Sequence, residues 1–570
     1  MNSNMIDPAI LERAKRWTHE PFDSVTRSAV QKMLDQSGEE LVDSFYQDLE
    51  FGTGGMRGIM GPGTNRMNRY TIGMSTQGLA NYLKKTFPGE AVKVAIAYDC
   101  RHNSPEFARI CADVLTGNGF RVFLFESLRP TPELSFAIRH YGCTSGIMIT
   151  ASHNPKEYNG FKVYWNDGAQ LVPPHDLNVV EEARKIKDIN EVAWKGEPSA
   201  ITILGKETDD IYIGKVCSLS LIESETINAH GDLPLVYSPL HGTGTRIVPE
   251  ALQAFGLSNV FSVAAQSIPD GNFPTVISPN PEEGEALTMA ISLAKEKGAE
   301  LVLATDPDAD RVGIAVKNDA GEFILMNGNE TAVLIIYYLL EQWKRKGKID
   351  GKQYIVKTIV TSYLLDKIAD AYGVECFNVL TGFKYIAEVM RDLEGVKEYI
   401  AGGEESYGLL IGDFVRDKDA VSACCIIAEA AIWAKSRSMT LFQLLQHIHA
   451  EYGLYREHLI SVTKKGKKGA DEIREMMEMF RNNPPNSICN IDVQEIRDFK
   501  TQTISVVADG TTRPTGLVSS NVIQLQLKDN TLITMRPSGT EPKIKFYFST
   551  HHPWNPSTES WETADQNLRN

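Results

Sequence analysis

Short apolar, β-branched runs alternate with stretches of helical periodicity along most of this chain. Residues 92–98, Val-Lys-Val-Ala-Ile-Ala-Tyr, predict a strand. Residues 104–118 predict a helix capped by Ser104 with Pro105 at its first position. A strand at 121–125, a helix at 132–141 and a strand at 146–150 follow. The cycle restarts with strand 235–238, helix 247–255, strand 260–263, helix 284–297 and strand 301–304. It restarts again with strand 354–359, helix 363–372, strand 374–379 and helix 384–391. Such alternation predicts βαβ units around mostly parallel sheets.

The C-terminal part breaks the pattern. Residues 464–471, rich in Lys and Gly, read as a solvated linker, followed by a helix to about residue 481 and a turn at 482–486. Runs at 522–528 and 532–536, joined across Asp529-Asn530, read as a hairpin. A length of 570 residues suits about four domains at roughly 150 residues each. The predicted fold class is therefore α/β: three similar α/β domains at 1–210, 211–325 and 326–452, and a C-terminal α+β domain at 453–570.

Composition narrows the partners. A net charge of −15 argues against nucleic acid or an anionic membrane as the main partner, while local basic loops still permit an anionic small substrate. The eight cysteines include no C-x-x-C pair, which suggests reduced thiols rather than a disulfide framework. The first twenty residues have no apolar core of a signal peptide. The longest apolar run, 420–434, is broken by Glu429 and reads as a buried helix, too short for a bilayer. These features lead to the expectation of a cytoplasmic protein without a membrane partner.

Four polar loops carry candidate chemistry. After the strand 146–150 comes Thr150-Ala-Ser152-His153-Asn-Pro155, a serine and a histidine side by side in a turn. A serine hydrolase is disfavoured, because the G-x-S-x-G elbow is absent. After the strand 301–304 comes Asp306-Pro-Asp308-Ala-Asp310-Arg311. Three carboxylates at i, i+2 and i+4 on a turn can converge on one hard cation. An EF-hand loop would need Gly at its sixth position and Glu at its twelfth, where Arg311 and Lys317 stand, so Mg2+ fits better. The loop Arg536-Pro-Ser538-Gly539-Thr540-Glu-Pro-Lys543 combines an Arg fork, hydroxyls, a Gly and a Lys, an inventory that suits a phosphate dianion. Gly402-Gly-Glu404-Glu405-Ser406-Tyr-Gly408 offers carboxylates and a hydroxyl suited to sugar hydroxyls. A glycine-rich segment at 51–58 carries Arg57 but lacks the Lys-Ser/Thr of a nucleotide-binding P-loop. Lys162 follows the serine loop closely enough to share its pocket. Together these loops supply the parts that a phosphoserine at Ser152 would need.

Taken in chain order, the motifs resemble the α-D-phosphohexomutase superfamily over nearly the whole chain, from Phe51 to Phe548. The segment 51–58 and Thr381-Gly-Phe-Lys384 resemble its phosphoglucomutase-2 branch, which includes phosphopentomutases. The resemblance implies four domains around a central active-site cleft. It implies interconversion of glucose 1-phosphate and glucose 6-phosphate through phosphoserine at Ser152 and a glucose 1,6-bisphosphate intermediate. One Mg2+ per chain would be held by Asp306, Asp308, Asp310 and the group on Ser152. Lys162 would be the base, its pKa lowered beside Arg57 and Arg311, with His153 and Arg57 holding charge. Glu404 and Ser406 would hold the sugar, and Arg536, Ser538, Gly539, Thr540 and Lys543 its phosphate. Arg311, Thr381, Lys384 and Lys418 would line the substrate path. Rival expectations are a phosphopentomutase acting on ribose 1-phosphate, a sugar-bisphosphate synthase and a metal-dependent phosphatase. The implied partners are small sugar phosphates, and the chain is expected as a monomer or weak homo-oligomer.

Overall fold

In a computed structural model that describes residues 6–49, 51–52, 55–464, 466–538 and 543–569, the buried runs become strands and the amphipathic stretches cover them. The chain forms two units. The first comprises Met1–Ser220, Gly231–Ile314 and Gly412–Cys425; the second comprises Leu221–His230, Ala315–Ile411 and Ile426–Asn570.

The first unit contains β1 (Phe51–Gly52), β2 (Gly55–Ile59), β3 (Lys93–Tyr98), β4 (Arg121–Phe125), β5 (Ser145–Ile149), β6 (Tyr158–Trp165) and β7 (Ile201–Leu204) in one sheet of order β1-β2-β6-β5-β3-β4-β7. Strands β5, β3, β4 and β7 run parallel, while β6, β2 and β1 extend the sheet antiparallel. All five residues of β5 are buried, as expected of a strand covered by helices on both faces. A second sheet has β8 (Leu235–Ser238) between β9 (Val260–Ser262) and β10 (Leu301–Thr305), all parallel. The chain leaves the first unit within β11 (Val312–Lys317). Helices Pro8–Arg16, Ser24–Gln36 and Glu39–Phe45, which have no counterpart in the sequence reading, enclose a small aromatic core around Trp17, Phe45 and Tyr70.

The second unit includes β12 (Phe323–Met326). Its first sheet has β13 (Gln353–Thr358) parallel to β14 (Glu375–Val379) and β15 (Glu398–Gly403), with β16 (Leu409–Ile411) antiparallel to β15. Its last sheet is antiparallel, in the order β17-β24-β23-β22-β19-β20-β21. It comprises β17 (Leu454–Thr463), β18 (Ser487–Ile488, paired with β19), β19 (Ile491–Asp498), β20 (Thr503–Val506), β21 (Thr512–Pro514), β22 (Ile523–Leu527), β23 (Leu532–Pro537) and β24 (Lys543–His552). The β22–β23 hairpin matches its expected position, with Asn530 at φ 67° in the turn. No described helix is long and apolar enough to cross a membrane.

Two local expectations need correction. Ser104 does not cap its helix: Asn103 occupies the cap position, and the Ser104 hydroxyl donates to Asp99 instead, at 2.8 Å. The stretch 464–471 is not a linker, because a helix spans Gly466–Asn482. Its later turns bury Ile473 and Met477 against Val493, Ile523 and Ile544, and that burial outweighs the polar, glycine-containing start.

Glu133, on helix Thr131–His140, is wholly buried, and neither carboxyl oxygen has a hydrogen-bond partner among the described residues. Burial pushes its pKa from 4.5 up to about 8, against the pull of Arg129 and Arg246. Between those values the unfolded chain binds fewer protons than the folded one, so stability falls as pH rises from about 4.5 to about 8. Glu133→Gln is expected to melt several degrees above the parent at about pH 8 and together with it at about pH 5. A melting difference that does not change with pH would refute this account.

Candidate active site

In the first unit the serine and aspartate loops both leave the carboxyl ends of parallel strands, where open α/β sheets place their ligands. Ser152 follows β5 and sits at φ 51°, a left-handed conformation unusual for a residue with a β-carbon. Its N–H donates to Thr150 Oγ1 at 2.8 Å. Close packing of β6 holds the loop from the side: a β-carbon at Gly160 would lie 2.3 Å from the Thr150 carbonyl oxygen. The Ser152 hydroxyl donates to Asp306 Oδ2 at 2.7 Å and lies 3.2 Å from His153 Nδ1.

The aspartate loop follows β10. Asp306 Oδ1 accepts the N–H groups of Asp310 and Arg311, both at 3.1 Å. Asp308 Oδ2 accepts from Lys162 Nζ and Thr131 Oγ1, each at 2.8 Å, and its carbonyl accepts the Thr131 N–H at 2.9 Å. Lys418 Nζ lies 3.0 Å from Asp310 Oδ2 and 2.9 Å from Asp417 Oδ1, brought there by the segment Gly412–Cys425. Arg311 pairs with Glu282 at 2.8 Å, and Arg57 donates to Asn154 Oδ1 at 2.8 Å.

All three aspartates are buried, and one ligand oxygen from each lies within 4.8 Å of the others. Asp308 Oδ1 and Asp310 Oδ1 have no hydrogen-bond partner among the described residues. Buried carboxylate oxygens without a partner carry a heavy desolvation cost, and a hard divalent cation with oxygen ligands relieves it. The donor set therefore fits Mg2+. Burial, with the neighbouring Asp308 and Asp310, pushes Asp306 well above the usual carboxylate range. Burial also opposes ionisation of Asp308, but Lys162 holds it below that range. Lys162 differs from expectation. Burial alone would lower its pKa, but Asp308 and Asp310 raise it, so the lysine is held charged. His153 is pushed well below its ordinary value by burial and by Arg311 and Arg57.

The second unit gathers the other candidates. The turn between β15 and β16 carries Glu404 and Ser406. Glu404 Oε1 accepts the Gly382 N–H at 2.9 Å, which ties this turn to Thr381 and to the start of the helix Phe383–Asp392 that carries Lys384. Thr381 Oγ1 is buried without a hydrogen-bond partner among the described residues. Glu405 Oε2 accepts from Thr358 Oγ1 at 3.3 Å. Burial and Glu404 push Glu405 up to about 7, against the attraction of Lys545 and Arg536. Arg536, near the end of β23, stands opposite Lys545 on β24. The Ser538 N–H donates to the Lys543 carbonyl at 2.7 Å. Gly539 and Thr540 lie outside the described residues.

Sequence reasoning missed Thr131, Asp417 and Lys545, which contact or face the candidate residues. Thr131 and Asp417 reach their partners only through the tertiary fold. Lys545 was legible as the residue opposite Arg536 once β23 and β24 are paired.

Parallel α/β sheets that aim a serine loop and a three-carboxylate loop at one another describe an α/β enzyme with a cation-ready centre. Three family models match in tandem: Phosphoglucomutase/phosphomannomutase, alpha/beta/alpha domain I over residues 48–190, domain II over 210–321 and domain III over 327–452. A phosphoglucomutase of Staphylococcus haemolyticus is 37% identical over 537 residues, covering 92% of this chain and 93% of that protein. One from Staphylococcus aureus is 39% identical over 540 residues, covering 94% and 95%. Among solved structures, the Paramecium phosphoglucomutase parafusin shares the fold with a TM-score of 0.65 at 18% identity, over 92% of this chain and 94% of that one. A phosphoglucomutase/phosphomannomutase family protein from Burkholderia thailandensis does so with 0.63 at 19% identity, over 91% and 95%. The chain belongs to the phosphoglucomutase/phosphomannomutase family and is an enzyme of the isomerase class.

Titration calorimetry with Mg2+ is expected to show one site per chain, and Asp308→Asn to weaken it by about tenfold or more. Unchanged binding in that variant would place the cation elsewhere.

Proposed function

We propose that this enzyme is a phosphoglucomutase that interconverts glucose 1-phosphate and glucose 6-phosphate, with Ser152 as phosphate carrier. The observation that carries the reading is the Ser152 hydroxyl, 2.7 Å from a carboxylate of the buried aspartate trio. It is supported by relatives named phosphoglucomutase at 37% and 39% identity over nearly their full length.

Asp306, Asp308 and Asp310, with an oxygen of the group on Ser152, would hold one Mg2+ per chain. Bound there, the cation supplies charge neutralisation for the phosphoryl oxygens. The phosphate of glucose 1-phosphate docks on Arg536, Ser538, Gly539, Thr540 and Lys543. Glu404 and Ser406 hold sugar hydroxyls, and Thr381, Lys384, Lys418 and Arg311 line the substrate path. The sugar 6-hydroxyl oxygen attacks the phosphorus on Ser152; the new O–P bond forms as the serine Oγ–P bond breaks. Lys162, charged at the start, donates its proton to the departing serine oxygen and accepts the proton of the attacking hydroxyl. Arg57 and His153 steady the charge. The resulting glucose 1,6-bisphosphate turns over and returns its other phosphoryl group to Ser152, which releases glucose 6-phosphate.

We also propose domains at 1–210, 211–325, 326–452 and 453–570. Strands β1–β7 fall within the first of these, β13–β16 within the third and β17–β24 within the fourth.

Intact mass with peptide mapping is expected to find phosphate on Ser152 after incubation with glucose 1,6-bisphosphate. Ser152→Ala is expected to lose isomerisation by more than about 10³-fold. Near-normal turnover in that variant would overturn the scheme. Ribose 1-phosphate assayed in parallel tests the pentose reading, and accumulation of the bisphosphate tests the synthase reading.

A further inference from the structure

Arg101 has no part in the scheme above, yet its side chain is fully buried directly beneath the serine loop. Nη2 donates to the carbonyl of Ser152 at 2.6 Å and also to the carbonyl of Asn154. Nη1 donates to the carbonyls of Pro155 at 2.8 Å and Tyr158 at 3.0 Å. Four carbonyls of one seven-residue stretch thus converge on a single guanidinium. Turn carbonyls are ordinarily satisfied by water, and each one drawn onto a buried fork removes a freedom of the loop.

The fork is itself fixed from two sides. Its Nε lies 3.3 Å from Asp99 Oδ2, and Asp99 Oδ1 accepts the Arg101 N–H at 2.9 Å and the Ser104 hydroxyl at 2.8 Å. The Phe273 ring, from the loop after β9, stacks on the guanidinium with its centroid 5.0 Å away. That loop packs tightly, since a β-carbon at Gly271 would lie 2.7 Å from His102 N. His102 and Asn272 add a hydrogen bond of 3.0 Å.

We propose that Arg101 is the positioning residue of the phosphate carrier: it holds Ser152 in its left-handed conformation with Oγ aimed at the aspartate trio. Left-handed backbone at a non-glycine residue persists only where its surroundings over-determine it, and the four carbonyl bonds do so here. Among the described residues Arg101 makes no hydrogen bond or ion pair with Asp306, Asp308 or Asp310. Its loss therefore slows transfer at Ser152 while leaving substrate docking and Mg2+ binding in place. A displacement of about 1 Å at a reacting group costs roughly 10²-fold in rate.

The proposal rests on Ser152 carrying phosphate, so the test separates the two. Wild-type enzyme that neither gains phosphate at Ser152 from glucose 1,6-bisphosphate nor isomerises glucose 1-phosphate overturns the functional reading. With a phosphorylated wild type, Arg101→Lys keeps the charge but loses the planar fork. The expected result is a fall of about 10²-fold in kcat and in the rate of Ser152 phosphorylation, with KM for glucose 1-phosphate and Mg2+ affinity within about threefold. Arg101→Ala is expected to recover at least about tenfold of its lost kcat with added guanidinium. A kcat in Arg101→Lys within threefold of wild type, or a parallel loss of Mg2+ binding, overturns the positioning role. Hydrogen exchange across residues 150–160 of the wild-type protein needs no variant. Slow exchange is expected, and exchange as fast as that of exposed loops overturns the proposal.

Discussion

Three buried carboxylates within 4.8 Å of one another form the constraint around which the first unit is organised. Left alone, such a cluster would not stay ionised in a dry interior. Its compensation comes from separate pieces of chain: Lys162 from β6, Lys418 from the segment Gly412–Cys425, the Thr131 hydroxyl from a helix start, and the N–H groups of Asp310 and Arg311 from the loop itself. Removing one partner of a buried pair typically costs about 3–5 kcal/mol, because a charge is left uncompensated. The first unit is thus tied together by the charge balance of the same cluster that accommodates a cation. Two carboxylate oxygens remain without a hydrogen bond among the described residues even so, and a cation would satisfy them where another lysine would fill the space.

The second unit shows the opposite polarity. Arg536 and Lys545 face each other across β23 and β24, an arrangement that repels unless something anionic lies nearby. Glu405 supplies only part of that charge, because burial and Glu404 raise its pKa to about 7. A basic pair of this kind suits the phosphate of the substrate proposed above, and Glu404 would supply acceptors for its hydroxyls. The proposed sugar phosphate would satisfy both kinds of group. Glutamates alone would suit a neutral sugar, and the basic pair alone any small anion.

Much of the fold was legible in the sequence because parallel strands buried on both faces must be almost wholly apolar. Strands β5, β8 and β10 stand out for that reason, and with them the loops at their carboxyl ends. The errors arose where a nearby residue competed or where burial lay farther along. Ser104 looked like a cap, but Asp99, five residues earlier, takes its hydroxyl. The basic start of the helix Gly466–Asn482 hid a face that becomes apolar only two turns later. The three N-terminal helices are short, and their aromatic core becomes visible only when Trp17 and Tyr70 meet.

The site was legible to the extent that its chemistry is local. Three aspartates on one turn declare themselves, whereas Lys162 and Asp308 are 146 residues apart and meet only in the fold. That distance also explains why the protonation of Lys162 was misjudged. The expectation set Arg57 and Arg311 beside it, but in the fold the carboxylates of Asp308 and Asp310 are the groups that raise its pKa. Arg101 was invisible for the same reason: its partners are backbone carbonyls, which leave no trace in residue identity. A residue that acts by fixing another's backbone can be found only from coordinates. In this enzyme such a residue matters because the proposed carrier must donate and recover a phosphoryl group from one fixed point. A serine free to wander would still be nucleophilic, but it would spend less of its time at the proper distance from either phosphoryl group of the proposed bisphosphate. Rigidity of the carrier is therefore what allows a single serine to serve both halves of the reaction.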